Sequence, residues 1–171
     1  MNKLLLIEFS IFLLLILSKS SSMLINISPF LAVIIISSYF VGCKYRFLAM
    51  ICIAQLSSDL IYGVHISNLF VYLSYLFIVL LLFNTNKIFS FGPNMFRAIQ
   101  ANIIFFLVSN IGHFLVFSNQ YTVAKLIGVY GEGLIYAANL FVSTVVFLAV
   151  FHALLAVSRK RLAKTRSTRV S

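Results

Sequence analysis

Three carboxylates and three histidines hold the acid–base and metal-binding capacity of this 171-residue chain. Asp59 and His65 share one stretch, "SSDLIYGVH". His113 stands in "SNIGHF" and Glu132 in "VYGEGLIY". By type these groups could ligate a metal, relay a proton or pair with a charged ligand. Their spacing supports no specific metal site. There is no HExxH and no phosphate-binding glycine loop. Nothing presents a serine on a nucleophile elbow. Cys43 and Cys52 lack CxxC or Cys/His spacing, which argues against a zinc site or disulfide framework. The reading is of a protein that is not an enzyme and uses no cofactor. What remains is small-molecule binding, with Asp59, His65, Asn68, Asn110, His113, Tyr130 and Asn139 as candidate substrate-binding residues.

These side chains must be positioned by very apolar elements. Hydrophobic residues make up 62% of the chain and charged residues 9%. A soluble domain is roughly 45–50% apolar and about 25% charged. Six apolar segments can be read, at 4–18, 29–43, 47–64, 66–83, 98–117 and 126–157. Several approach the ~20 residues that cross a bilayer as helix. The fold class expected is all-α, a polytopic transmembrane bundle of about six spans. Residues 1–157 form one transmembrane domain and 158–171 a basic cytoplasmic tail. The first and second segments are short for a span and are expected to be shielded by other helices. The last is longer than one span, so "VYGEGLIY" is expected to lie at the interface, with the membrane helix near 134–157.

Orientation follows from lysine and arginine. With the N-terminus inside, the inner side holds Lys3, Lys44, Arg46, Lys87, Arg97 and a tail of Arg159, Lys160, Arg161, Lys164, Arg166 and Arg169. The outer side holds Lys19 and Lys125. That bias places both termini in the cytoplasm of a cell whose inner (plasma) membrane holds the protein. The basic tail follows directly on an apolar segment, so it is read as a topogenic signal beside membrane lipid rather than a nucleic-acid site. The first segment also has features of a signal peptide. Glu8 inside its apolar core and the lack of an A-x-A site favour a span.

On this topology the polar groups fall at one depth. Gln55 is near the middle of the third segment and Asp59 near its outer end. Asn68 and Tyr72 open the fourth, Asn110 and His113 close the fifth, and Tyr130, Glu132 and Asn139 lie early in the sixth. The inner halves are mostly Leu, Ile, Phe and Val. One-sided clustering implies a cavity open to the outer face that can hold a small polar molecule. Each residue also has a structural explanation. Asp59 could cap a helix or pair with Lys125. Asn110 and Asn139 could bond another helix. His65, His113, Tyr121 and Tyr130 suit an interface. Glu132, between Gly131 and Gly133, could be solvated, and His152 is read as structural.

The motifs resemble a family of small, uncharacterised bacterial membrane proteins. Its N-F-T-P element corresponds to Asn26, Ile27, Ser28 and Pro29. Its S-D-L-x-x-G-x-H element corresponds to Ser58, Asp59, Gly63 and His65. Asn110, Gly112 and His113 stand for N-x-G-x-W, with histidine in place of tryptophan. Tyr121, Thr122, Gly128, Tyr130 and Asn139 continue the pattern, and Thr144 stands near the family's late Asp. The resemblance covers roughly residues 24–150. That family is similar in size and span count to the substrate-binding S components of energy-coupling-factor transporters. The likeness implies capture of a vitamin-like molecule or metal ion at the outer face. It also implies a separate transmembrane coupling protein and two ATPases as partners. The competing expectation is an accessory or structural membrane protein without transport activity.

Overall fold

The computed structural model describes residues 3–20, 27–85 and 88–167, with side chains at 5–19, 27–85 and 88–158. Asn26, Lys87 and the side chains of Lys3 and of the basic tail lie outside the described residues. The described residues form six α-helices and no strand: α1 Lys3–Ser20, α2 Phe30–Ser37, α3 Lys44–Tyr62, α4 Asn68–Asn84, α5 Phe91–Phe117 and α6 Val123–Ser167. Each apolar segment of the sequence corresponds to one helix.

The shortest helix is the centre of the bundle. α2 has eight residues, about 12 Å of helix. Its sequence, "FLAVIIIS", has no polar face, and a helix apolar all round must be covered all round. Seven of its eight residues are buried, all but Val33. α1, α5 and α6 pack on it, and the remaining neighbours run α1–α3, α3–α4, α4–α5 and α5–α6. Ile34 and Ile35 meet a core that includes Leu15, Ile78 and Leu148. Ser28 fixes the start of α2. Its hydroxyl donates to the Ser18 carbonyl at 2.9 Å and accepts from the Phe30 amide at 3.2 Å. Ser143 of α6 donates to the Ser28 carbonyl at 3.1 Å. One turn is thereby tied to α1 and α6.

Glu8 has a structural explanation. It is 8% exposed, and its Oε2 lies 3.0 Å from Arg46 Nη1. Near the other ends of the same two helices, Lys19 and Asp59 are in electrostatic range. α1 and α3 therefore run side by side in one direction. A buried carboxylate needs such a partner because desolvation without one is costly.

Two helices differ from the segments expected. α5 begins at Phe91, seven residues before the expected start. Gly92 and Pro93 read as a turn, but Pro93 falls in the helix's first turn, where an amide would lack an intrahelical partner anyway. α6 is continuous through "VYGEGLIY". Its glycines lower helix propensity by about 1 kcal/mol each, which packing against α5 can offset. Among the described residues, two helices are long and apolar enough to cross a membrane, Phe91–Phe117 and Val123–Ser158. α4 is apolar but shorter, at Asn68–Asn84.

Candidate functional site

Four helix ends meet where α3 stops, α4 starts, α5 stops and α6 starts. The stop of α3 is set by Gly63. Its φ is +115°, a conformation that a Cβ disfavours, and its amide donates to the Asp59 carbonyl at 2.8 Å. The His65 ring then folds back toward Gly63: a Cβ there would lie 3.3 Å from His65 Nε2.

Asp59, one turn before that stop, is 6% exposed. Gln55 Nε2 donates to Oδ1 at 2.6 Å, and the Tyr72 hydroxyl donates to Oδ2 at 2.8 Å. Tyr75, also buried, donates to Gln55 Oε1 at 3.0 Å. Both carboxylate oxygens therefore have partners inside the protein, as a buried charge requires. This chain joins α3 to α4. Gln55 and Tyr75 were not among the candidate residues. Their signal was the helical spacing of Gln55 and Asp59, which places both side chains on one face.

Two clefts flank this network. The first, about 500 Å³, lies between α3 and α4. Asp59, His65, Asn68 and Tyr72 line it, but most of its wall is apolar, from Ile53, Leu56 and Leu69. The second, about 510 Å³, lies between α4, α5 and α6. Asn110 and His113 line it, with Asn102, Ser109, Glu132 and Tyr136. The candidate residues are thus divided between two sites rather than gathered in one. Tyr130 and Asn139 line neither. The Tyr130 hydroxyl donates to the Leu107 carbonyl at 2.8 Å, and its ring packs edge-on against Phe106, so it joins α6 to α5. Asn139 is half-buried and also makes an internal contact.

The second cleft is the more polar. Asn102, Phe106, Ser109 and His113 recur at spacings of four, three and four along α5, which makes one helical stripe. Glu132 and Tyr136 are four apart on α6 and face it. Asn102 is 7% exposed. Its Nδ2 donates to the Ala98 carbonyl at 2.8 Å, and its Oδ1 has no partner among the described residues. Asn110 Nδ2 donates to the Phe106 carbonyl at 2.7 Å. Its Oδ1 lies so near Gly133 that a Cβ there would approach it to 2.3 Å. Among the described residues no three of His, Cys, Asp and Glu come together in a way that could hold a metal ion.

A second polar cluster occupies the other end of the bundle. Arg97 is 3% exposed and Asn94 is fully buried. Arg97 Nη1 donates to the Tyr39 hydroxyl. That hydroxyl lies 2.5 Å from Asn94 Oδ1 and 2.8 Å from the Ile88 carbonyl. Asn94 Nδ2 is 3.0 Å from His152 Nε2. Arg97, expected only as an orientation signal, is thus also buried and ties α5 to the turn that follows α2, while Asn94 ties α5 to α6.

No curated protein and no solved structure matches this chain. The model of one family, described as a family of unknown function (DUF6580), matches residues 1–166. That match takes in both clefts and every helix but for the last residue of α6, and the chain belongs to this uncharacterised family.

Proposed function

We propose that this protein is a multi-pass membrane protein that captures a small molecule for uptake. In this reading all six helices lie in the inner (plasma) membrane, with both termini cytoplasmic. The bundle faces lipid through apolar side chains. Leu107 and Leu115 of α5 and Val142 and Val150 of α6 are exposed. Exposed apolar surface of this kind is unfavourable in water and favourable in hydrocarbon. α2 needs no full span because its neighbours cover it.

The observation that carries the proposal is the cleft between α4, α5 and α6. It is about 510 Å³, within the range of small-molecule sites. On the topology set by the basic residues, it opens near the outer face. The sequence carries no ATP-binding motif, so active uptake would draw on an ion gradient or on a separate energising subunit. A transmembrane coupling protein with ATPases, as in energy-coupling-factor transporters, is the arrangement proposed. The lack of a metal-ligand cluster among the described residues favours an organic, vitamin-like ligand over a metal ion.

A second reading is an accessory or structural membrane protein. The Asp59 network favours it, because Asp59 finds both partners internally. Thiol labelling distinguishes the two. His113→Cys and Asp59→Cys are made in a background lacking Cys43 and Cys52. A membrane-impermeant reagent added outside intact cells should label position 113 and spare 59. Protection of 113 in a folded protein supports the accessory reading. Native mass spectrometry of the gently purified protein then reports a retained ligand or a bound coupling module.

A further inference from the structure

The three carboxylates of this chain are used differently. Glu8 is paired with Arg46, and Asp59 is held by Gln55 and Tyr72. Glu132 has no hydrogen bond or ion pair among the described residues, and it faces the cleft between α4, α5 and α6. The chain carries thirteen lysines and arginines, and none of those whose side chains are among the described residues lines this cleft. The second group without its full set of partners there is again an acceptor, Asn102 Oδ1. Three aromatic rings, of Phe105, Phe106 and Tyr136, complete the wall.

We infer that this cleft takes a small organic cation carrying hydrogen-bond donors and an apolar or aromatic body. A carboxylate with no internal counter-ion attracts positive charge. Ring faces add to that attraction through their quadrupoles. An acceptor buried without a donor favours a ligand that brings one. A bare metal ion is disfavoured, because the volume suits an organic molecule and Glu132 and His113 are too few to complete a coordination shell. This assignment deepens the capture proposal and rests on it for the claim that the occupant is the molecule taken up.

The test uses three matched probes on the full chain in lipid nanodiscs: phenethylammonium, phenethyl alcohol and phenylacetate. They differ mainly in charge. Calorimetric titration should rank the cation tightest and the anion weakest. Glu132→Gln should weaken phenethylammonium by roughly five- to tenfold and leave the alcohol unchanged. Glu132→Lys should move the preference toward phenylacetate. An unchanged thermal midpoint in both variants shows that the fold is intact. Equal or tighter binding of phenylacetate by the wild type overturns the assignment. So does a cation preference that survives Glu132→Gln, and so does no binding by any of the three. The capture proposal is judged separately, by uptake of labelled phenethylammonium into cells with and without the gene. Cation-selective binding without uptake upholds the site and ends the capture reading. Anion-selective binding with uptake of labelled phenylacetate does the reverse.

Discussion

The Tyr72 hydroxyl of α4 donates to Asp59 Oδ2 of α3 at 2.8 Å. Four residues separate Gly63 from the first residue of α4, so the contact closes a short helical hairpin near its turn. Tyr72→Phe keeps the ring and removes the donor. It leaves a buried carboxylate with one side-chain partner where it had two. A hydrogen bond to a charged group is worth about 1.5–3 kcal/mol, so the thermal midpoint in detergent should fall measurably. Adding Asp59→Asn should recover part of the loss, because a neutral amide demands less. A Tyr72→Phe protein as stable as wild type would mean that water reaches Asp59, and the structural role assigned to this pair would then be wrong.

Glycines in the last two helices divide by what surrounds them. A Cβ on Gly112 would lie 2.3 Å from Phe70 Cγ and 2.4 Å from its Cβ. Phe70 cannot clear that space by rotating, since its Cβ is fixed to the backbone of α4. Gly112→Ala should therefore push α4 from α5 and cost about 1–3 kcal/mol. Gly131 has nothing within 4 Å of the same position. Gly131→Ala should be neutral or stabilise by up to about 1 kcal/mol, the difference in helix propensity. Thermal midpoints of the two variants, side by side, check both. Equal effects would remove the close approach of α4 and α5 as the reason for Gly112.

Helix positions were legible in the sequence because apolar length and turn residues mark them. The facing of side chains was not. Depth along a span can be counted from the basic loops, and that counting brought Asp59, His65, Asn110 and His113 to one level. Azimuth needs a polar face and an apolar face to compare. In "LIYGVHISNLFVYL" apolar residues occur on every side, so nothing assigned Asp59 and His113 to different clefts. Gly63 was more readable. A glycine after an apolar helix signals a stop, and its φ of +115° gives the reason. Buried polar pairs such as Arg97 and Tyr39 were not readable, since they join residues far apart in the chain. The charge of Arg97 suggested a loop side, and its burial at 3% comes from partners that only the fold assembles.

Cys43 and Cys52 should differ as thiols. Cys43 precedes the first residue of α3. The backbone amide of Arg46, then that of Tyr45, stabilise its thiolate and hold its pKa below the ordinary thiol value. Cys52 lies within α3, half-buried. At neutral pH more of Cys43 is thiolate, so it should alkylate faster. As pH rises its rate should level off earlier than that of an ordinary cysteine. Mass-spectrometric counting of iodoacetamide adducts against pH, in variants carrying one cysteine each, measures this. A rate for Cys43 equal to that of Cys52 throughout would show that the helix-start amides have no effect on it.

At the opposite end of the bundle, the Tyr39 hydroxyl accepts from Arg97 and has one proton for two acceptors, Asn94 Oδ1 and the Ile88 carbonyl. It can satisfy one of them at a time, but its oxygen serves Arg97 whichever it chooses. Tyr39→Phe removes that oxygen from a guanidinium that is 3% exposed. The ring face that lies 5.0 Å from Arg97 Cζ stays in place. The loss is therefore confined to the hydroxyl's own bonds: the one from Arg97, about 1.5–3 kcal/mol for a charged donor, and the one it donates to Asn94 or to the Ile88 carbonyl. Arg97→Met should cost less than Tyr39→Phe if the charge is a burden that Tyr39 relieves, since removing a buried charge with its demand can be nearly neutral. Thermal midpoints of the two variants and of the double variant decide it. A double variant no less stable than Arg97→Met is expected. Fully additive losses would instead mean that Tyr39 and Arg97 act independently, and that the α2 end of the bundle is held by packing rather than by this contact.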